Sequence, residues 1–257
     1  QQRIEEATRL TRLTGLLDEN RQAFWQKLDV AYFLRHEAAD IAWHPRHLHY
    51  QVSPNHPVVK ARPNGSTDSV QVMVYTNDKK DLFFRICEYL GKHQLDVLDA
   101  RVHTTRHGYA LDSFMVLPAN GQKDLRALCA LLEHELREYL EADEGDREVR
   151  SSKPSPRFSR LSRAFPVAPL VEIQPDEGSQ QWRVAIVASN RPGLLADVAR
   201  VFADFNVAVL TAKVMTLGER VEDVFVVSSE SLNQPRTQRQ FERTVSDVLS
   251  QEVSHAA

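Results

Sequence analysis

The chain lacks the features of several common protein classes. Of its 257 residues only two are cysteine, and Cys87 and Cys129 have no metal-ligand spacing, which predicts reduced core residues of a cytosolic protein. No apolar run approaches the roughly 18 residues that a membrane-spanning helix needs, and no signal peptide is present. We therefore expect a cytoplasmic protein with no membrane partner.

An excess of charge of one sign is also lacking. The 32 basic and 35 acidic residues give a net charge of −3, so no overall field attracts nucleic acid or a membrane surface. The one dense basic run, Ser152–Arg163, has the serine and proline content of an exposed linker. We expect no nucleic-acid partner.

Metal-ligand spacing is absent even where histidines are frequent. The segment Tyr32–His49 contains four of them, but metal-binding helices place histidines at i and i+4 or in tight pairs. His36 and His44 are eight positions apart, and Pro45 separates His44 from His47 and His49. The pattern favours structural or surface histidines, and no metal site is expected.

The chain does contain a complete strand, helix, strand, strand unit between Val184 and Val227. A short apolar run, Val184–Ala188, precedes Pro192, which predicts a helix start with proline at the first helical position. Apolar residues at helical spacing follow, and two β-branched runs, Val207–Thr216 and Val221–Val227, predict a hairpin.

This unit occurs twice. Val58–Lys60 aligns with Val171–Ile173, Asn77 with Asn190 and Leu82 with Leu195, each at a separation of 113 residues. Further along, Ala100 aligns with Ala212 and Asp112 with Asp223 at slightly shorter separations. A period of this length indicates a duplicated domain rather than a small solenoid unit.

The second copy limits the topology, because few residues follow its last predicted helix, Thr237–Leu249. A ferredoxin-like unit normally ends with a fourth strand, so we expect a leading strand, Val58–Ala61 or Leu170–Ile173, to fill that edge position through a hairpin. The predicted class is α+β, with two tandem, permuted ferredoxin-like domains after a helical segment. The predicted boundaries are 1–53 for the helical segment, 54–150 for the first domain, 151–168 for a linker and 169–257 for the second domain.

The turn Ser189–Leu195 is the candidate binding element. It is expected to direct free N–H groups of Gly193, Leu194 and Leu195 out of a helix start, which attracts a carboxylate or a phosphate. The alternative is an ordinary helix start without a ligand, since proline and glycine are common there.

The residues Asn190–Leu195, NRPGLL, resemble the ligand-binding turn of ACT domains, small modules that bind amino acids and regulate enzymes. That family more often has aspartate at the position of Asn190. Nearly the whole chain resembles the C-terminal third of the bifunctional uridylyltransferase/uridylyl-removing enzymes that modify the nitrogen-signalling protein PII. The segments that carry this resemblance are Tyr32–His44, Asp99–Leu117 and Asn190–Val227.

In that family, tandem ACT domains sense glutamine and switch distant active sites between uridylylating PII and removing the nucleotide. The resemblance therefore implies L-glutamine as an allosteric ligand, and PII and the upstream catalytic domains of the same chain as partners. The N-terminal helices resemble the segment that joins the hydrolase domain to the ACT pair. The chain also begins without Met, so we expect a part of a longer protein.

The family's catalytic motifs have no counterpart in this sequence. The transferase needs a Gly-Ser turn followed by paired carboxylates for Mg²⁺, and Gly65-Ser66 and Gly178-Ser179 lead instead into predicted strands. The removing activity needs a His-Asp pair with further metal ligands, and no His-Asp dipeptide occurs. We expect no catalytic residue, metal or cofactor in this chain, with Mg²⁺ bound in the upstream domains.

The second copy is expected to offer the better carboxylate site, because Asp78 and Asp81 already supply negative charge, Asp78 as a cap, to the helix start of the first copy. The glutamine side chain is expected to lie towards Val207–Leu210 or the equivalent strand of the other copy. The predicted effector-binding residues are Asn77, Asp78, Leu95, Val97, Asn190, Arg191, Pro192, Gly193, Leu194, Leu195, Val207 and Val209.

Two other functions stay open. One is a protein-interaction module without a small-molecule ligand, in which the repeat provides a surface for PII or the catalytic domains. The other is a free-standing enzyme with a dispersed site that uses Asp112, His103 or His107, although polar residues at a hairpin are also expected for solvation alone.

Overall fold

The computed structural model describes residues 2–50, 56–65, 67–79, 81–118, 124–142, 167–176 and 181–250. The predicted linker of residues 151–168 lies almost wholly outside these ranges, as does Gly178-Ser179. The domain boundaries stay predictions.

The described residues of the N-terminal segment form four short helices. Gly15, with φ of 75°, separates the first two because a left-handed conformation ends a helix. The helices are α1 (Gln2–Leu13), α2 (Asp18–Trp25), α3 (Val30–Arg35) and α4 (Ala38–Leu48).

The two copies follow in the predicted order of elements. The first comprises β1 (Val58–Pro63), β2 (Val70–Asn77), α5 (Leu82–Lys92), β3 (Leu95–Arg101), β4 (Tyr109–Pro118) and α6 (Leu125–Glu141). The second comprises β5 (Leu170–Pro175), β6 (Trp182–Ser189), α7 (Leu194–Asp204), β7 (Ala208–Leu217), β8 (Arg220–Ser228), a 3₁₀ turn (Ser231–Asn233) and α8 (Pro235–Ser250).

All eight strands join one antiparallel sheet in the order β1-β2-β4-β3-β7-β8-β6-β5. The leading strands β1 and β5 pair with β2 and β6 at the two outer edges, which confirms the predicted permutation. The copies meet where β3 pairs with β7, with Ala100 opposite Val214. The fold is therefore a pair of tandem ferredoxin-like ACT domains that share one sheet.

The repeat register differs by one residue from the sequence alignment at the candidate turn. Asp78 and Asn190 take equivalent backbone positions, because their N–H groups donate to Gly108 and Glu219, the residues just before β4 and β8. The separation there is 112 residues rather than 113, so Asn190 corresponds to Asp78 and not to Asn77. The first copy thus has the aspartate that ACT domains more often carry.

The sheet has a different layer on each face. Helices α5 to α8 cover one face of both copies, and their apolar residues form a single core with the inward side chains of the strands. The N-terminal helices cover the opposite face of the first copy, where Phe24, Tyr32 and Ile41 pack near Met73 and Tyr75. The first copy is therefore enclosed on both faces.

Candidate functional site

A small cavity lies between the turn before α7 and strand β3 of the other copy. It has a volume of about 40 Å³, and we call it the second-copy cavity. It is lined by Cys87, Gly91, Leu95, Asp96, Val97, Asn190, Arg191, Gly193, Leu194, Leu195, Ala196, Val214, Thr216, Val221 and Asp223.

A second cavity, of about 120 Å³, lies between the turn before α5 and strand β7. We call it the first-copy cavity. It is lined by Asp78, Lys79, Leu82, Phe83, Val102, Asp112, Ala208, Val209 and Leu210.

The two cavities are equivalent under the internal repeat. Asp78, Leu82 and Phe83 take the positions of Asn190, Leu194 and Leu195, and Asp112 takes that of Asp223. Each cavity combines the helix start of one copy with the third strand of the other. The sheet pairing of β3 with β7 therefore builds two related sites at one interface.

The turn before α7 has a defined geometry. Gly193 has φ of 78° and ψ of 0°, and the Leu194 N–H donates to the Arg191 carbonyl at 3.2 Å, as in a type II turn with Pro192 at its second position. The helix therefore begins at Leu194, and the placement of Pro192 at the first helical position is wrong, because the left-handed Gly193 intervenes.

This turn changes which amides are free. The Leu194 N–H is engaged, contrary to expectation, but no hydrogen bond among the described residues uses the N–H of Gly193 or Leu195. No side chain caps α7. The amino end of this helix therefore has unused donors beside the cavity.

Arg191 is held by its own copy. Its Nη1 lies 2.7 Å from Asp197 Oδ2 in the first turn of α7, and its Nη2 donates to the Val248 carbonyl in α8. Its side chain is only 8% exposed. The guanidinium thus fixes the turn against α7 and α8, and the backbone amides remain for an anion.

The equivalent turn of the first copy has a different charge. Asp78 does not cap α5 as predicted, because its Oδ2 accepts a hydrogen bond from Thr104 Oγ1 at 2.7 Å. Asp81 takes the position of Gly193, and its side chain makes no cap hydrogen bond. Burial raises the pKa of Asp78. Two carboxyl groups thus accompany this helix start, whereas neither position is acidic in the second copy.

The structure distributes the predicted site residues over both cavities. The second-copy cavity contains Asn190, Arg191, Gly193, Leu194, Leu195, Leu95 and Val97. The first-copy cavity contains Asp78 and Val209. Pro192, Asn77 and Val207 line neither of the two: Pro192 lies in the turn, Asn77 ends β2, and Val207 is buried in the core.

Two buried acids at these cavities were not predicted as binding residues. Asp223 lines the second-copy cavity and Asp112 the first-copy cavity, and burial raises the pKa of Asp223 to about 7 and that of Asp112 well above its usual value. The signal was present in the sequence, since each carboxyl interrupts the apolar positions of an alternating strand at equivalent points of the repeat.

The residues of the enzyme alternative each have a structural partner. The Asp112 carboxylate accepts the backbone N–H of His103, whose ring packs against Tyr32, while His107 Nε2 lies 2.8 Å from the Tyr75 hydroxyl. Within the described ranges, no group of three or more His, Cys, Asp or Glu residues is arranged to hold a metal ion. None of the described helices combines the length and apolar character needed to cross a bilayer.

The shared sheet and the paired interface cavities define a tandem ACT-domain protein. The family model described as the uridylyltransferase GlnD fifth domain matches residues 1–47, and residues 2–47 of this range belong to the N-terminal helical layer.

Relatives match nearly the whole chain. The bifunctional uridylyltransferase/uridylyl-removing enzyme of Bordetella pertussis is 55% identical over 250 residues, covering 97% of this chain and 29% of the relative. The enzyme of the same name from Burkholderia mallei is 44% identical over 243 residues, covering 93% of this chain and 28% of the relative. The resemblance to this family is confirmed, and the chain spans less than a third of the length of these relatives.

Among solved structures, the aspartate kinase from Synechocystis matches 71% of this chain and 28% of its own, with a TM-score of 0.39 and 13% identity.

Proposed function

We propose that this chain is a glutamine-sensing regulatory region of a bifunctional uridylyltransferase/uridylyl-removing enzyme, and that it controls uridylylation and deuridylylation of PII. The catalytic residues and the Mg²⁺ belong to other parts of the enzyme in this proposal. A cytoplasmic setting is part of it, and the two free, buried cysteines are compatible with that setting.

The observation that carries the proposal is the placement of each cavity between the copies. A ligand in the second-copy cavity contacts the turn before α7 in one copy and Leu95–Val97 in the other. Such a ligand binds more tightly when the two copies are docked together than when they are apart. A ligand shifts the equilibrium between two such states only through this difference in affinity. Binding at the interface therefore gives an amino acid a means to change the relation between the copies.

The protein-interaction module remains the second candidate, and the size of the second-copy cavity favours it. A volume of about 40 Å³ has room for about three water molecules, and glutamine is larger. Under our proposal the turn and β3 move apart to admit glutamine. Under the alternative the cavity stays closed and the repeat only provides a surface.

Titration calorimetry on the 257-residue chain separates the two candidates. We expect saturable binding of L-glutamine at micromolar to millimolar concentration, and weaker binding of L-glutamate, which replaces the side-chain amide by a charge. The absence of heat up to millimolar glutamine would favour the interaction module. In the longer relatives, glutamine should change the ratio of transfer to removal of the uridylyl group.

A further inference from the structure

Asp223 occupies an unusual position in β8. It lies on the apolar face of the strand between Val221 and Phe225, and it is only 4% exposed. A buried carboxylate without a cationic partner is costly, because its charged form loses hydration. An aliphatic or amide side chain would fill the position at lower cost.

The contacts of Asp223 use only part of its hydrogen-bonding capacity. Its Oδ1 accepts the Met215 N–H at 3.2 Å, and among the described residues no donor bonds to Oδ2 and no basic side chain forms an ion pair with it. A carboxylate has about four acceptor sites. The unused oxygen belongs to a side chain that lines the second-copy cavity.

The lining of the cavity thus has both N–H groups that favour an anion and a carboxyl group that favours a cation. The unused N–H groups of Gly193 and Leu195 mark one part of its lining, where a carboxylate is favoured. Asp223 supplies a carboxyl group to the same lining, which favours a cation. A zwitterion matches both, whereas a simple anion or a simple cation matches one.

We propose that Asp223 is a specificity-determining residue that accepts the ammonium group of a free α-amino acid whose carboxylate binds the amides before α7. This inference rests on the proposed function and names the ligand group that Asp223 recognises. Asp112 is the equivalent acid of the first-copy cavity, but there the helix start carries Asp81 in place of Gly193. The carboxylate end of an amino acid is therefore accepted better in the second-copy cavity.

The test compares glutamine with glutaramate, which is glutamine without its amino group, in the wild-type chain and in Asp223→Asn. Because a hydrogen bond to a charged group is about twice as strong as a neutral one, we expect the wild type to prefer glutamine by about 10- to 100-fold. In Asp223→Asn that preference should fall to within about threefold, through weaker glutamine binding with glutaramate binding unchanged. A preference that persists in Asp223→Asn would overturn the assignment.

Asp112→Asn is the matched control, since it removes the equivalent buried acid from the other cavity. The preference of the wild type should remain in this variant. The amide oxygen introduced by Asp223→Asn can still accept the Met215 N–H, so a purely structural role of Asp223 predicts that both variants behave like the wild type. If the wild type binds neither compound, the proposed function fails. If it binds both equally, the assignment of Asp223 fails alone.

Proton release gives an independent readout. The Cys87 thiol of α5 interacts with Asp223, and the other titratable residues around the cavity are Asp96 of β3 and Arg191 of the turn. Because burial raises the pKa of Asp223 to about 7, an arriving ammonium group drives its ionisation and releases a proton near pH 6.5. The binding enthalpy should then depend on the buffer in the wild type and in Asp96→Asn but not in Asp223→Asn; buffer dependence that disappears in Asp96→Asn instead would overturn the assignment.

Discussion

Gly91 and Gly193 face each other across the interface of the two copies. A Cβ atom on Gly91 would lie 3.7 Å from the Cα of Gly193 and 3.6 Å from the Cβ of Ala196, both ordinary contact distances. Gly91 is in the last turn of α5 and lines the second-copy cavity. The two glycines therefore set how closely α5 approaches the turn that precedes α7.

The first prediction uses this proximity. Gly91→Ala should raise the free energy of unfolding by about 0.5–1 kcal/mol, since a helical glycine is less favourable than alanine by that amount, and should leave glutamine binding intact. Gly91→Leu should fill the cavity and weaken glutamine binding at least tenfold. Calorimetry and urea denaturation measure the two effects; retained binding in Gly91→Leu would contradict this location of the site.

The second prediction concerns the carboxylate position. Gly193→Asp should abolish glutamine binding, because it places a negative charge and added bulk beside the free amides. Asp78→Asn should leave binding nearly unchanged. Gly193→Ala is the control for the strain of a side chain at φ of 78°. Loss of binding in Asp78→Asn with retention in Gly193→Asp would assign the ligand to the first-copy cavity.

The third prediction concerns Asp40, which ties the N-terminal helical layer to the sheet. Its Oδ1 accepts hydrogen bonds from Arg62 and Gln71, and its Oδ2 accepts one from Arg101, each at 2.8–2.9 Å. Asp40→Ala should cost about 2–3 kcal/mol, below the full value for a buried pair because both arginines are partly exposed.

Urea denaturation measures the loss, and amide hydrogen exchange in α4 should increase first. Glu6→Ala, which removes an exposed ion pair with Arg9, should leave the denaturation midpoint unchanged. An unaltered midpoint in Asp40→Ala would show that the layer is held by its apolar contacts alone.

The fourth prediction follows from the buried histidines. Burial lowers the pKa of His36 to about 4 and also lowers the pKa of His44, whose Nδ1 lies 2.6 Å from the Tyr32 hydroxyl. The unfolded chain takes up protons near the ordinary pKa of 6.5 while the native state stays neutral, so these groups lower the stability as the pH falls from about 6.5 to 4.

The melting temperature should therefore fall between pH 6.5 and 4.5. His36→Phe keeps an aromatic ring packed on Tyr32. It should reduce the pH dependence of the free energy of unfolding by the equivalent of about one bound proton. A pH dependence unchanged by His36→Phe would show that the ring of His36 is not its source.

The fifth prediction concerns the second copy in isolation. A fragment of residues 170–257 would expose the edge of β7 that pairs with β3, together with the contact face of α7 beside α5. An open strand edge favours pairing with another chain. We expect this fragment to dimerise, as measured by light scattering, while a stable monomer as resistant to urea as the whole chain would count against the pairing.

Much of the fold could be predicted because its signals are local and occur twice. The short apolar runs of β2 and β6 and the helical spacing after Leu82 and Leu194 recur at one period. Because few residues follow the last helix of the second copy, an edge strand from upstream was expected. The alignment of the two copies at the turn was wrong by one residue. Pairing Asn77 with Asn190 matches identical residue types but uses no information on strand pairing.

Residues on both sides of the candidate site could be named from the sequence, on different grounds. The turn Asn190–Leu195 is a local pattern, whereas Leu95 and Val97 were predicted as the equivalent strand of the other copy, and both line the second-copy cavity. What the sequence does not give is how the copies dock through β3 and β7. In the sequence, Asp223 stands out as an acid at an equivalent point of the repeat, but no local pattern shows that its carboxyl group lines a cavity. The contact of Asp40 with Arg62 and Arg101 likewise joins elements distant in sequence.

Strand β3 has a different role at each of its ends. Leu95–Val97 forms a wall of the second-copy cavity, Asp99–Arg101 carries the pairing with β7, and Arg101 reaches Asp40 in the helical layer. Leu98 is passed over in the pairing with β4, and such a bulge lets a strand bend locally. One strand of seven residues thus contacts both the second-copy cavity and, through Arg101, the N-terminal helices that the family model matches.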